Sequence, residues 1–229
     1  MKENVTLNIR RYKPRIKAGP RFETYTLTID TRMSILDTLD KIRNEQDPTL
    51  MYRHSCHHSS CGTCGMLING QERLACITSI SKLKKRPITL EPLPDFPLIG
   101  DLVVDMTSFY KDMDENWDFL RTAEDLGNNS LPEGITRFEW FENCIECGCC
   151  VSACPASGPD KPFMGPAVLA AVNAELKKSK KKEKGLLELA GSEQGVLLCE
   201  RALECSRVCP TEVYPARHIM ELRRRIHGQ

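Results

Sequence analysis

The side chains best equipped for chemistry in this chain are its cysteines, and their spacing is specific. The densest run reads Cys144-Ile-Glu-Cys147-Gly-Cys149-Cys150-Val-Ser-Ala-Cys154-Pro155. Setting Cys149 aside leaves C-x2-C-x2-C-x3-C-P, the spacing that holds a cubane iron-sulfur cluster and sends its fourth cysteine across to a second cluster. Two-residue gaps in a tight loop bring successive sulfurs onto one concave face. The proline turns the chain, so the last sulfur points elsewhere. Such a run predicts a partner motif.

The partner is Cys199-Glu-Arg-Ala202-Leu-Glu-Cys205-Ser-Arg-Val-Cys209-Pro210. Laid under the first run, Cys199 matches Cys144, Cys205 matches Cys150 and Cys209 matches Cys154, while Ala202 stands where Cys147 should be. By the cross-over rule Cys144, Cys147, Cys150 and Cys209 hold a complete 4Fe-4S cluster. The other site receives only Cys154, Cys199 and Cys205. Three thiolates facing an alanine methyl group suit a 3Fe-4S cluster, with a four-iron cluster carrying a labile or non-cysteine ligand as the alternative.

A third group, Cys56, Cys61, Cys64 and Cys76, has gaps of four, two and eleven residues, the plant-type C-x4-C-x2-C…C spacing for a 2Fe-2S cluster. Gly62 and Gly65 flank Cys64, where a loop wrapping a cluster needs unusual dihedrals and free N–H groups for the sulfurs. Zinc is the competing metal, but zinc ribbons pair two C-x2-C knuckles and Cys76 stands alone. His57 and His58 offer a Rieske-like C-x-H, yet four cysteines already complete the set. Their alternatives are an outer hydrogen bond to the cluster or no role beyond a solvated loop. Cys149 is assigned no cluster and reads as a small buried hydrophobe.

Secondary structure must carry these loops. Residues 5–11 and 23–29 alternate apolar and polar around Pro14, Gly19 and Pro20, which predicts a β-hairpin. Ser34 to Asp37 has capping-box spacing, and Ile35, Leu36, Leu39 and Ile42 recur at helical period, so a helix over 34–45 is expected on the sheet. Residues 66–68, running into the Asn69-Gly70 turn, and 88–90 read as strands. The predicted fold class is α+β: a β-grasp, plant-type ferredoxin-like domain over 1–106, then an all-α, bacterial-ferredoxin-like domain over 107–229. Helices are expected from Ala167 to Leu176, with Pro166 in the first turn, and from Pro215 to about Arg225. Residues 107–135 read as linker, and Trp140-Phe141 leads into the first cluster loop. Lys177–Lys184 holds six lysines in eight residues. Docking to anionic lipid is one reading of it, and a solvated loop ended by Gly185 is the preferred one.

Bulk properties exclude several classes. Acids and bases balance to a net charge of +1, which marks neither a nucleic-acid binder nor a membrane-surface binder. The N-terminus lacks an apolar signal core, and Arg10-Arg11 is followed by Tyr12-Lys13-Pro14, not by the apolar stretch of a twin-arginine signal. Twelve cysteines in such a chain therefore do not suggest a secreted disulfide scaffold.

The order of motifs resembles the iron-sulfur subunit of the succinate dehydrogenase and fumarate reductase family. The likeness covers nearly the whole chain and includes Arg53-His-Ser-Cys56, Cys61-Gly-Thr-Cys64-Gly65, Leu74-Ala75-Cys76, Pro92-Leu-Pro94-Asp-Phe96-Pro97 and Asp101-Leu-Val-Val-Asp105. It implies an oxidoreductase subunit without a substrate site of its own, passing electrons between FAD in a dicarboxylate-binding flavoprotein subunit and a quinone at membrane anchor subunits. Cys56, Cys61, Cys64 and Cys76 would face the flavoprotein, and Cys154, Cys199 and Cys205 the anchor. It also implies a peripheral place on the cytoplasmic side of the cell membrane. In ubiquinone-linked members, tryptophans after the first C-P and a histidine after the next cysteine build the quinone pocket. Here Ala156-Ser157-Gly158-Pro159 and Glu200 occupy those positions. Two alternatives follow: the equivalent subunit of a thiol-dependent or non-quinone reductase, and a structural zinc-binding interaction protein.

Overall fold

The computed structural model describes residues 2–14, 19–30, 32–113, 144–178 and 182–228. These form two compact units, one from Met1–Ser108 with Ile145–Ala153 and one from Phe109–Cys144 with Cys154–Gln229.

The first unit is rich in sheet. Strands β1 (Lys2–Arg11) and β2 (Arg21–Asp30) pair antiparallel over their full length. The expected hairpin is therefore present, and each strand is longer than its apolar alternation. Helix α1 (Ile35–Glu45) starts at the expected capping box, with Ser34 and Asp37 bonding each other's backbone N–H. It buries Ile35, Leu36, Leu39 and Ile42, the residues of the helical period. Short strands β3 (Gly65–Ile68), β4 (Gln71–Leu74) and β5 (Ile88–Glu91) complete a sheet of order β2-β1-β5-β3-β4. β1 and β5 run parallel, and the other neighbours antiparallel. β4 escapes the sequence reading because Gln71-Glu-Arg73 lacks an apolar alternation. A small ribbon, β6 (Leu98–Gly100) and β7 (Val103–Val104), and helix α2 (Thr107–Tyr110) follow.

One buried arginine ties this unit together. Arg11 is only 1% exposed, and its guanidinium reaches Glu23, Asp47, Thr49 and Asp101. The Asp101 carboxylate accepts from the backbone of Tyr12 and Met51. A buried charge survives only when paired and hydrogen-bonded; here the partners also fix the segment leading into the Cys56 loop. Burial opposes ionisation of Asp47, but bonds from Thr49, Arg11 and Tyr25 outweigh it and hold the carboxyl well below its usual range.

The second unit is helical. It contains α4 (Pro166–Lys178), α5 (Glu183–Ala190), α6 (Glu204–Arg207) and α7 (Pro215–His227); α3 (Cys149–Ser152) belongs to the first unit. Leu169, Val172, Ile219 and Leu222 are fully or almost fully buried in one core with Leu186 and Ala190. Both expected helices run slightly beyond their periodic residues, α7 stopping at Gly228, whose left-handed backbone closes the last turn. The lysine run departs from the expected loop: α4 extends through Lys178 and α5 passes through Gly185. Lys177 is paired with Glu221 at 3.3 Å. Trp140-Phe141 and most of the expected linker lie outside the described residues.

Candidate metal centres

Cys56 and Cys61 sit on the loop between α1 and β3, whose course is turned by left-handed backbone at His57 and Ser59. Three backbone amides point at the Cys56 sulfur: His58 at 3.4 Å, Ser60 at 3.2 Å and Cys61 at 3.3 Å. The His58 amide leads in bringing this thiol down to about 6. Convergent N–H donors stabilise a thiolate, the form that binds iron. The Cys56 amide in turn points at Cys61 Sγ, at 3.5 Å.

Cys64 and Cys76 form a second pair. Burial pushes Cys64 up to about 12, against amides of Cys76 and Ala75 that favour the thiolate, and the two sulfurs hydrogen-bond. The four cysteines of the first group thus arrive as two pairs. Two tetrahedral irons bridged by sulfides each need two protein thiolates, so the donor set and its pairing fit a two-iron cluster.

The histidines divide in role. His58 contributes its amide to Cys56, while its ring bonds the Cys56 carbonyl and Ser60 Oγ. His57 belongs to a chain from α1. Arg43 donates to His54 Nε2 at 3.3 Å, which leaves His54 Nδ1 to donate to His57 Nε2 at 3.1 Å.

In the second unit, burial first and then the charges of Cys154 and Cys199 push Cys205 up to about 11, against hydrogen bonds from Ser206 that favour its thiolate. These are the three cysteines that the spacing around Ala202 sets apart in the sequence. Cys209 Sγ accepts the Val213 amide at 3.3 Å. A feature missed in the sequence is Arg223 on α7, whose guanidinium donates to the carbonyls of Val196 at 2.7 Å, Leu197 at 3.3 Å and Cys199 at 2.8 Å. Nothing in Arg223-Arg224-Arg225 marks the first as the one turned inward, except its place one turn after buried Ile219. In the first unit, Cys149 is fully buried and shares a hydrogen bond with Cys147 that lowers the pKa of Cys147 and raises its own.

Cysteine loops of the two-iron and dicluster types, carried in series, define an iron-sulfur electron carrier. Comparison with known proteins specifies the kind. Residues 6–111 match the family model of a 2Fe-2S iron-sulfur cluster binding domain, and residues 140–213 that of a 4Fe-4S dicluster domain. The fumarate reductase iron-sulfur subunit of Escherichia coli O6:H1 is 34% identical, with 96% of this chain and 91% of that one covered. The succinate dehydrogenase iron-sulfur subunit of Coxiella burnetii is 33% identical over 96% and 95% of the two chains. A chain of the Mycobacterium smegmatis Sdh1 complex in the apo form shares the fold, with a TM-score of 0.80 at 24% identity over 100% of this chain and 97% of that one. The chain belongs to the family of iron-sulfur subunits of fumarate reductase and succinate dehydrogenase. It is an electron-transferring subunit of an oxidoreductase, and neither alternative is favoured by these relatives.

Proposed function

We propose that this chain carries electrons between the FAD of a dicarboxylate-binding flavoprotein subunit and a quinone held by membrane anchor subunits. Residues 1–106 form a β-grasp domain of the plant-type ferredoxin kind, and residues 107–229 a helical domain of the bacterial-ferredoxin kind whose segment Ile145–Ala153 packs into the first compact unit. Cys56 and Cys61 would hold one iron of the 2Fe-2S cluster, and Cys64 and Cys76 the other. Cys144, Cys147, Cys150 and Cys209 would hold the 4Fe-4S cluster, and Cys154, Cys199 and Cys205 the 3Fe-4S cluster. Bound there, the clusters supply one-electron redox chemistry at potentials set by ligation, hydrogen bonding and burial. The protein's part is to aim amides at Cys56, to bury Cys205, and to hold the Cys199 segment through Arg223. No described helix is long and apolar enough to cross a membrane, so membrane attachment would come through the anchor subunits, on the cytoplasmic side.

The observation that carries this reading is the agreement of three cysteine groups with the paired sulfurs of the first and the missing ligand at Ala202. Electron paramagnetic resonance of the oxidised, anaerobically purified protein tests it. Oxidised two-iron and four-iron clusters are silent, whereas a three-iron cluster gives a near-isotropic signal. That signal with about nine irons per chain is expected. A protein silent until reduced and holding about ten irons would overturn the three-iron assignment.

A further inference from the structure

Gly65 opens β3, where it pairs with Leu74. Its φ is not positive, so its own backbone conformation does not call for glycine. Glycine weakens a strand by about 0.5–1 kcal/mol relative to alanine, and something else must require it. A Cβ at Gly65 would lie 2.8 Å from the Cys147 carbonyl oxygen and 3.5 Å from Cys149 Sγ. At Gly62 it would lie 2.1 Å from the Ile145 carbonyl oxygen and 3.0 Å from Cys147 Cα. The nearest obstacles are backbone atoms, so no change of rotamer relieves them. Within the first unit, the loop carrying Cys61 and Cys64 is therefore in direct backbone contact with the strand of chain carrying Cys147.

Two further contacts hold that arrangement. Ser152 Oγ donates to Glu72 Oε1 at 2.9 Å, tying α3 to β4, the neighbour of β3. Fully buried Cys149 fills the space beside Gly65, which gives this spare cysteine a place its spacing did not explain.

We propose that Gly65, together with Gly62, is a positioning residue that sets the separation between the two-iron ligands Cys61 and Cys64 and the four-iron ligand Cys147. The inference rests on the ligand assignment proposed above. Electrons cross such a gap singly, the donor losing what the acceptor gains, with no proton moved and no bond made or broken. The rate of that crossing falls exponentially with distance. A methyl group at residue 65 must push Cys147 away, and a glycine there keeps the two ligand loops closed.

The test is microwave power saturation of the reduced two-iron signal in the purified complex. In the wild-type protein the power for half-saturation should rise when the four-iron cluster is also reduced, because a neighbouring spin speeds relaxation. In Gly65→Ala, with unchanged iron content and g values, that power should fall. Gly19→Ala, where a Cβ meets nothing within 4 Å, should leave it unchanged. Wild-type relaxation in a fully loaded Gly65→Ala protein overturns the proposal. Should that variant fail to hold its clusters, the wild-type measurement decides: no enhancement with both clusters reduced overturns it equally. A Cys147→Ala protein that retains an intact four-iron cluster would instead sink the ligand assignment, whatever the relaxation shows.

Discussion

The runs 144–155 and 199–210 are two copies of one local structure. Glu146 and Gly148 have φ of 54° and 76°, and their counterparts Arg201 and Leu203 have 60° and 65°. One helical turn follows at the same place in each, α3 after Gly148 and α6 after Leu203. The amides bonding back match as well: Val151 and Ser152 to Gly148 in one copy, Ser206 and Arg207 to Leu203 in the other. Against this common frame Ala202 replaces Cys147, so the second run keeps the form of a four-ligand loop and lacks one sulfur. The lesson is that backbone geometry and ligand number are separable. The glycine position repeats it on a smaller scale. A Cβ at Gly148 would lie 2.8 Å from Met106 Cε, the movable end of a flexible side chain, and 3.1 Å from the Phe96 ring, so φ demands glycine there while space only asks the neighbouring side chains to give. Leu203 bears the same φ with its side chain 45% exposed, where only the dihedral is costly.

The sharpest way to break the comparison is to restore the sulfur. Ala202→Cys should convert the three-iron cluster to a four-iron one, abolishing the oxidised paramagnetic signal and raising iron to about ten per chain. An unchanged spectrum in a folded variant would show that residues 202 and 147 are not equivalent. Next in size is Arg223→Leu, which leaves the carbonyls of Val196, Leu197 and Cys199 without their shared donor. Loss of the third cluster is expected, with iron falling toward about six while the two-iron signal persists; full retention would deny Arg223 its part in holding Cys199.

Smaller effects separate the glycine positions. Leu203→Gly should stabilise the protein by about 1 kcal/mol by relieving a left-handed leucine, and Gly148→Ala should destabilise it by about 1–2 kcal/mol or more through strain and contact. Shifts of the same sign in urea midpoints would contradict the distinction. The smallest effect concerns the Arg11 network. Because Asp47 ionises more readily folded than unfolded, its contribution to stability is present above about pH 4 and lost as pH falls further. Asp47→Asn should flatten that part of the acid profile; an identical slope in both proteins would show that Asp47 is not linked to folding.

Much of this was legible because its causes are local. Capping at Ser34, the apolar periods of α1 and α7 and the alternation of β1 and β2 depend on residues a few positions apart. Strand β4 and the continuation of α5 through Gly185 were hidden because neighbours in space, not local pattern, stabilise them. Arg11 and Arg223 were likewise silent, since their partners are scattered along the chain.

The sequence by itself determined the three cysteine groups, the odd position of Ala202 and the family resemblance, because cluster ligation requires particular residue types at particular spacings. Only the tertiary structure decided that Cys56 goes with Cys61 and Cys64 with Cys76, and that Arg223 grips the Cys199 segment. It also decided that Gly65 is a glycine for the sake of Cys147, more than eighty residues away. The physical reason is excluded volume and hydrogen-bond direction, which act between atoms that meet in space and leave no periodic trace along the chain.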